Sequence, residues 1–157
     1  MLIVQDNKGS GIMKIMEWNI NHRLGISNVD MPTWVAKEIK EKQKADITII
    51  TECCNRIPNW KNDFLDAFDK HTYLTFSSNN DQVGNNDVTI LINKENINVI
   101  SAYSFLAEGH SAPDHLQLNC RTKDTNKEFT IVGLRIHTMN ISDIEKRKQF
   151  CLVLDNL

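Results

Sequence analysis

Three apolar stretches of this chain end on side chains that could do chemistry. "MKIMEWNINHR", Met13 to Arg23, runs out onto Asn19, Asn21, His22 and Arg23. "ADITIITE" ends on Glu52, and "FTIVGLRIHT" carries Arg135 and His137. A carboxylate and an amide oxygen are hard donors, and Mg²⁺ is commonly held by one or two carboxylates, several waters and a substrate phosphate. Arg135 and His137 are the donors that would hold the other phosphate oxygens. Residues two apart in a strand share a face, so Glu17 lies with Asn19, and Arg135 with His137. Spacing alone leaves an ordinary alternative open: Asn19 starting a turn, Glu52 capping one, and His137 bonding backbone.

The elements that must position these groups can be read from pattern. Residues 12–20 read as a strand. Residues 33–44 read as a helix with Trp34, Val35 and Ile39 on one side. Residues 45–52 form a β-branched strand. Residues 59–69 suit a short helix, capped by Asn59 and striped by Trp60, Phe64 and Phe68. Strands follow at 72–77, 87–93, 97–105, 115–122 and 128–138 without helices between them. A last helix, 142–156, opens with Ser142 and Glu145 at capping-box spacing, with Phe150, Leu154 and Leu157 as its apolar stripe. Strands joined through helices run parallel, which would gather Asn19 and Glu52 at the carboxyl edge of one sheet, the usual place for a ligand.

"DITII", "DVTILI" and "FTIVGLRI" are nearly continuous apolar runs, the pattern of strands covered on both faces. Three helices cover only one face, so the pattern asks for a second layer that no further helix supplies. An uncovered apolar face would favour self-association.

Composition sets the outer limits. The 157 residues suit one domain, and 41% hydrophobic content supports a core. A net charge of −2 excludes the broad basic surface that drives nonspecific DNA binding. No apolar run approaches the ~20 residues of a membrane-spanning helix. Residues 1–12 lack signal-peptide character and are set apart as a short leader, with the folded unit over 13–157. Cys53, Cys54, Cys120 and Cys151 show no metal spacing and read as reduced thiols of a cytoplasmic protein.

"MKIMEWNIN", "ADITIITE", "NNDVTILI" and "FTIVGLRIHT", in this order, resemble the endonuclease/exonuclease/phosphatase family, which contains deoxyribonuclease I and the abasic-site endonucleases. The resemblance covers most of residues 13–157. It implies an α+β fold, here the first half of a four-layer αββα sandwich with a mixed β-sheet and helices on one face. It implies divalent-metal-dependent phosphoester cleavage with Mg²⁺ or Mn²⁺, by a phosphodiesterase, nuclease or phosphatase. Glu52 resembles the family's metal-binding glutamate. Asn19 matches the asparagine that positions metal or phosphate, and His137 the catalytic histidine at the scissile phosphate. The phosphate role of Arg135 is inferred from position rather than from the family.

Family members continue with a strand ending Gly-Asp-x-Asn and, later, Ser-Asp-His, which orient and activate water. Losing a general base costs about 10²–10⁴-fold in rate. The expectation is therefore an amino-terminal half, inactive or nearly so alone. Its partners would be a phosphoester substrate, nucleic acid among the candidates, and a missing carboxyl-terminal half or a second copy. The alternative is a noncatalytic binding or assembly module that retains the fold. A thiol hydrolase using Cys53 or Cys54 is a third reading, with loop or core thiols favoured. "PDH", Pro113 to His115, is close in spelling to the absent Asp-His pair, but it reads as a break before a strand. Glu17 is expected to pair with Arg135, because two unpaired carboxylates are costly to bury together. Trp18 and Trp60 read as packing residues, and His22, His71 and His110 as loop or strand-start histidines.

Overall fold

The computed structural model describes residues 2–4, 13–20, 31–54, 60–78, 86–104, 114–136 and 142–155. Among the described residues, eight strands form two sheets. The first has the order β1-β2-β3-β5-β4, built from β1 (Leu2–Val4), β2 (Met13–Asn19), β3 (Ile47–Cys54), β4 (Tyr73–Ser77) and β5 (Asn86–Asn93). The second has the order β6-β7-β8, from β6 (Ile97–Tyr103), β7 (Asp114–Thr122) and β8 (Glu128–Arg135). β2 and β3 run parallel, and the remaining pairings are antiparallel. The parallel pair is the one joined through a helix, as chain geometry requires. β1 was not expected as a strand: it falls within the segment set apart as a leader, and it pairs Leu2 with Ile15.

Alternation of side chains divides the apolar residues of the first sheet between two cores. Met16, Ile50 and Leu91 point to one face and pack with Val35, Ile39, Phe64 and Phe68. These come from α1 (Met31–Lys37), its π-helical continuation Glu38–Gln43, and α2 (Trp60–Asp66) with the turn after it. Ile15, Ile47, Val88, Ile90 and Ile92 point to the other face and meet Leu116, Leu118 and Cys120 of the second sheet. The second covering layer demanded by "DITII" and "DVTILI" is therefore present within the chain as β6–β8, whereas "FTIVGLRI", also expected to be covered on both faces, lies in β8 and is part of that layer. β8 lies over β3 and β5, and β7 over β5.

The layers approach closely at Gly133. A Cβ built there would lie 2.4 Å from Val88 Cγ1, 3.3 Å from Ile90 Cδ1 and 3.4 Å from Ile49 Cγ2. Carbon atoms ordinarily meet at ~3.5–4.0 Å, so the missing side chain is what lets β8 sit this near.

The final helix, α3 (Asp143–Leu154), begins with the expected capping box. Ser142 Oγ accepts from the Glu145 N–H, and the Ser142 N–H donates to the Glu145 carboxylate at 2.8 Å. Its apolar stripe differs from expectation. Gln149 and Val153 are buried, whereas Ile144, Phe150 and Leu154 are exposed. Leu157 lies outside the described residues. Trp34 also departs from its expected inward place. It is half exposed and meets Trp18 edge to face, with ring centroids 5.9 Å apart.

Candidate functional site

Asn19 and Glu52 end neighbouring parallel strands, and Asn19 stands opposite Thr51 in the register. Asn19 shares the face of Ile15, directed toward the second sheet, and its side chain is exposed. Regular alternation would send Glu52 the other way. Ile50, two residues earlier, packs against the helices, so an undistorted strand would bury Glu52 among them.

A β-bulge prevents this. β3 and β5 pair Ile50 with Thr89 but Cys53 with Asp87, so Thr51 and Glu52 face the single residue Val88. Such an extra residue bends the strand and re-aims its side chains. Glu52 takes φ = 60°, a left-handed conformation uncommon outside glycine and strained for a non-glycine residue. The result is a carboxylate turned into the cleft between the sheets, 21% exposed.

The second sheet delivers the opposite charge. Arg135 shares the face of Phe129, Ile131 and Gly133, which is the face packed on the first sheet. Its Nε lies 3.7 Å from Glu52 Oε1, and its Nη1 donates to Asp114 Oδ2 at 2.9 Å. Asp114 is the register partner of Arg135 across β7 and β8. Arg135 thus bridges an acid from each sheet at the cleft mouth. The expected pairing with Glu17 is replaced by these two acids, and Glu17 is exposed on β2. Glu17 needs no buried partner because it lies at the solvent-facing part of the sheet.

Asp114 was read only as a strand breaker beside Pro113. In the fold it is the first residue of β7 and part of this cluster. His115 points to the opposite face of β7, so the pair cannot act together in the cleft. The His115 ring is 1% exposed and lies edge to face with Tyr103, and burial lowers its pKa. His137 lies outside the described residues, as do His22, His110 and the side chains of Cys53 and Cys54. The fold therefore brings Glu52 and Arg135 into contact, ends the Asn19 strand beside them, and adds Asp114.

The donor set can be weighed against a cation. Among the described residues, no group of three or more His, Cys, Asp or Glu side chains is arranged to hold a metal. Two carboxylates, Glu52 and Asp114, and the exposed Asn19 amide end near one another, a hard-oxygen set that suits Mg²⁺ better than a metal needing a full protein cage. At the other end of the strands a cavity of about 400 Å³ is lined by Met13, Asp46, Asn96 and Lys123. There Asp46 accepts from the Lys14 N–H at 2.8 Å and from Asn96 Nδ2 at 2.7 Å, a clasp between elements.

No protein-family model matches this chain, and no curated protein matches it by sequence. Solved structures do match by shape. D. rerio TDP2 complexed with a single-strand DNA product superposes with a TM-score of 0.71 at 12% identity, covering 92% of this chain and 54% of its own. An endonuclease/exonuclease/phosphatase from Bacteroides vulgatus gives 0.66 at 15% identity, covering 92% of this chain and 59% of its own. A mannosyl-6-phosphatase from Bacteroides thetaiotaomicron gives 0.66 at 14% identity, covering 92% and 58%. At such identities the likeness establishes the fold, and the chain spans little more than half the length of these neighbours. A mixed sheet packed on an antiparallel one, with helices outside, is the α+β arrangement of the endonuclease/exonuclease/phosphatase proteins, and this chain carries their fold across an amino-terminal half.

Proposed function

We propose that these residues are the cation- and phosphate-binding half of a metal-dependent phosphoester hydrolase. The single observation that carries this reading is the bulge at Thr51–Glu52. A strained backbone is spent on turning one carboxylate out of the helix layer and into a cleft where Asn19 and Arg135 also end. Glu52 would hold Mg²⁺ or Mn²⁺, with the Asn19 amide oxygen beside it. Arg135 would present its guanidinium to a phosphate oxygen, and His137, two residues on, would contact the scissile group. A divalent cation there supplies Lewis-acid polarisation of the phosphoryl oxygen.

The 157 residues contain neither a Gly-Asp-x-Asn nor a Ser-Asp-His sequence. We expect them to turn substrate over slowly or not at all until a further segment, or a second copy, completes the cleft. DNA is bound by one structural neighbour and a sugar phosphate is the named substrate class of another, so nucleic acid and small phosphoesters are both candidates. A net charge of −2 favours a substrate recognised at the site over one gripped along a basic surface. Among the described residues no helix is long and apolar enough to cross a membrane, and reduced thiols suit a cytoplasmic setting.

A noncatalytic module is the second reading, favoured by the contact that already pairs Glu52 with Arg135. One titration separates them. Mn²⁺ followed by electron paramagnetic resonance should bind the native chain and not Glu52→Gln. Equal binding by both proteins would refute the metal site and leave the scaffold reading.

A further inference from the structure

The last helix, α3, carries apolar residues on two sides. Gln149 and Val153 are buried, whereas Phe150 is 53% and Leu154 56% exposed, and Cys151 beside them is exposed and free. A helix covered on one side only ordinarily turns charged and polar residues outward. Here Phe150 and Cys151 lie one turn before Leu154, so the three form one patch on the outer face.

The charges around this patch select its occupant. Lys148 and Asp155 are exposed and lie two turns apart along one edge of it. Two turns are about 10 Å along the axis, too far for the pair to meet within one helix. An antiparallel second copy brings them together twice: Lys148 meets Asp155 of the second copy, and Asp155 meets its Lys148. The same alignment sets Cys151 against Leu154 of the second copy and Phe150 against its own counterpart. A parallel pairing would instead bring Arg147 against Arg147. Asp155 supplies a second reason. It caps the carboxyl end of α3, whose last turn carries no base, and the helix dipole disfavours an acid there. A lysine from the second copy answers that charge.

We propose that the outer face of α3 is an interface between two copies of this chain, paired antiparallel about a two-fold axis near Cys151. Phe150, Cys151 and Leu154 supply its apolar centre, and the two Lys148–Asp155 contacts fix its direction. A contact between two short helices buries far less than the ~800 Å² per partner of a standard interface. The association is therefore weak, with a Kd on the order of 10⁻⁴ M. It does not depend on a metal at Glu52.

The test is sedimentation velocity on the full 157-residue chain, without added metal, from about 20 μM to about 1 mM. The native chain should pass from mostly monomer to mostly dimer. Lys148→Glu and Asp155→Lys should each weaken the dimer about tenfold, because two attractive contacts become repulsive. The two substitutions together should restore it to within about threefold, since the pairs re-form with their signs exchanged. Three results overturn the proposal: a chain that stays monomeric, a dimer indifferent to both single substitutions, or a double variant no tighter than the single ones. An indifferent dimer would place the contact on another surface. Asp155→Lys puts a favourable charge at the helix end, so its loss of dimer cannot be a loss of fold, and circular dichroism checks this. A second measurement needs no variant. Cys151 enters the interface, so its alkylation by excess iodoacetamide should slow about fourfold across the same concentrations. A rate independent of protein concentration would refute the interface.

Discussion

Gly133→Ala is the sharpest perturbation of the layer that carries Arg135. The added methyl would sit 2.4 Å from Val88 Cγ1, over 1 Å inside ordinary carbon contact, and 3.3 Å from Ile90 Cδ1. Val88 and Ile90 are fully buried, so neither can swing into solvent. Relief must come from an off-rotamer valine or from β8 lifting off the first sheet, and overpacking of this kind costs about 1–3 kcal/mol. Arg135 is the next residue on the same face, so lifting β8 also lengthens its 3.7 Å approach to Glu52. Urea unfolding followed by tryptophan fluorescence measures the loss. Val88→Ala removes the clashing Cγ1, so Gly133→Ala should cost at least about 1 kcal/mol less in that background. A Gly133→Ala protein within about 0.5 kcal/mol of the native chain would refute the close-approach argument. So would a cost unchanged by Val88→Ala.

Other outcomes follow from single features. Glu52→Gly and Glu52→Ala delete the same carboxylate, so their difference reports the left-handed backbone; the glycine variant should be more stable by about 1–2 kcal/mol in thermal melts. His115 has its pKa lowered by burial, so the native state resists a proton that the unfolded chain accepts. Stability should therefore be full above the unfolded value of ~6.5 and fall with pH down to the lowered native value. Unfolding measured between pH 7 and pH 5 should show that decline, and His115→Phe should flatten it. Cys120 is buried, with burial raising its thiol to about 11, while Cys151 is exposed. Iodoacetamide followed by mass spectrometry should label Cys151 well before Cys120, and equal labelling would contradict the packing between the sheets. Ser142→Ala should lose about 1 kcal/mol by removing the capping box of α3.

Most of the strand pattern was legible because β-branched runs such as "ITII" and "VTILI" have little other use. The parallel placing of Asn19 and Glu52 followed from the helix between their strands. Less visible was the answer to the two-faced apolar runs. β6 and β7 carry mixed sequences such as "DHLQLNCRT", and β8 carries an apolar run that read as a strand in need of a cover, so the role of all three as the covering layer was hidden. The bulge has no glycine to announce it, and Glu52 accepts a positive φ that sequence patterns assign to other residues. Asp114 escaped because a residue after proline reads as a turn. Only the pairing of β7 with β8 reveals that it faces Arg135. The exposed Phe150 and Leu154 show the opposite failure: a helical stripe gives a face but not the direction in which that face looks.

The extra residue in β3 has a consequence for inherited change. Most point substitutions along "ITIITECC" would alter one side chain and leave its neighbours where they are. Loss of the Thr51 codon would restore an even ladder with β5 and set the acid opposite Val88, on the face turned to the second sheet, but without the bend and the left-handed turn that now aim it. Length at this point should accordingly be guarded more strictly among descendants of this gene than the identity of Thr51 itself.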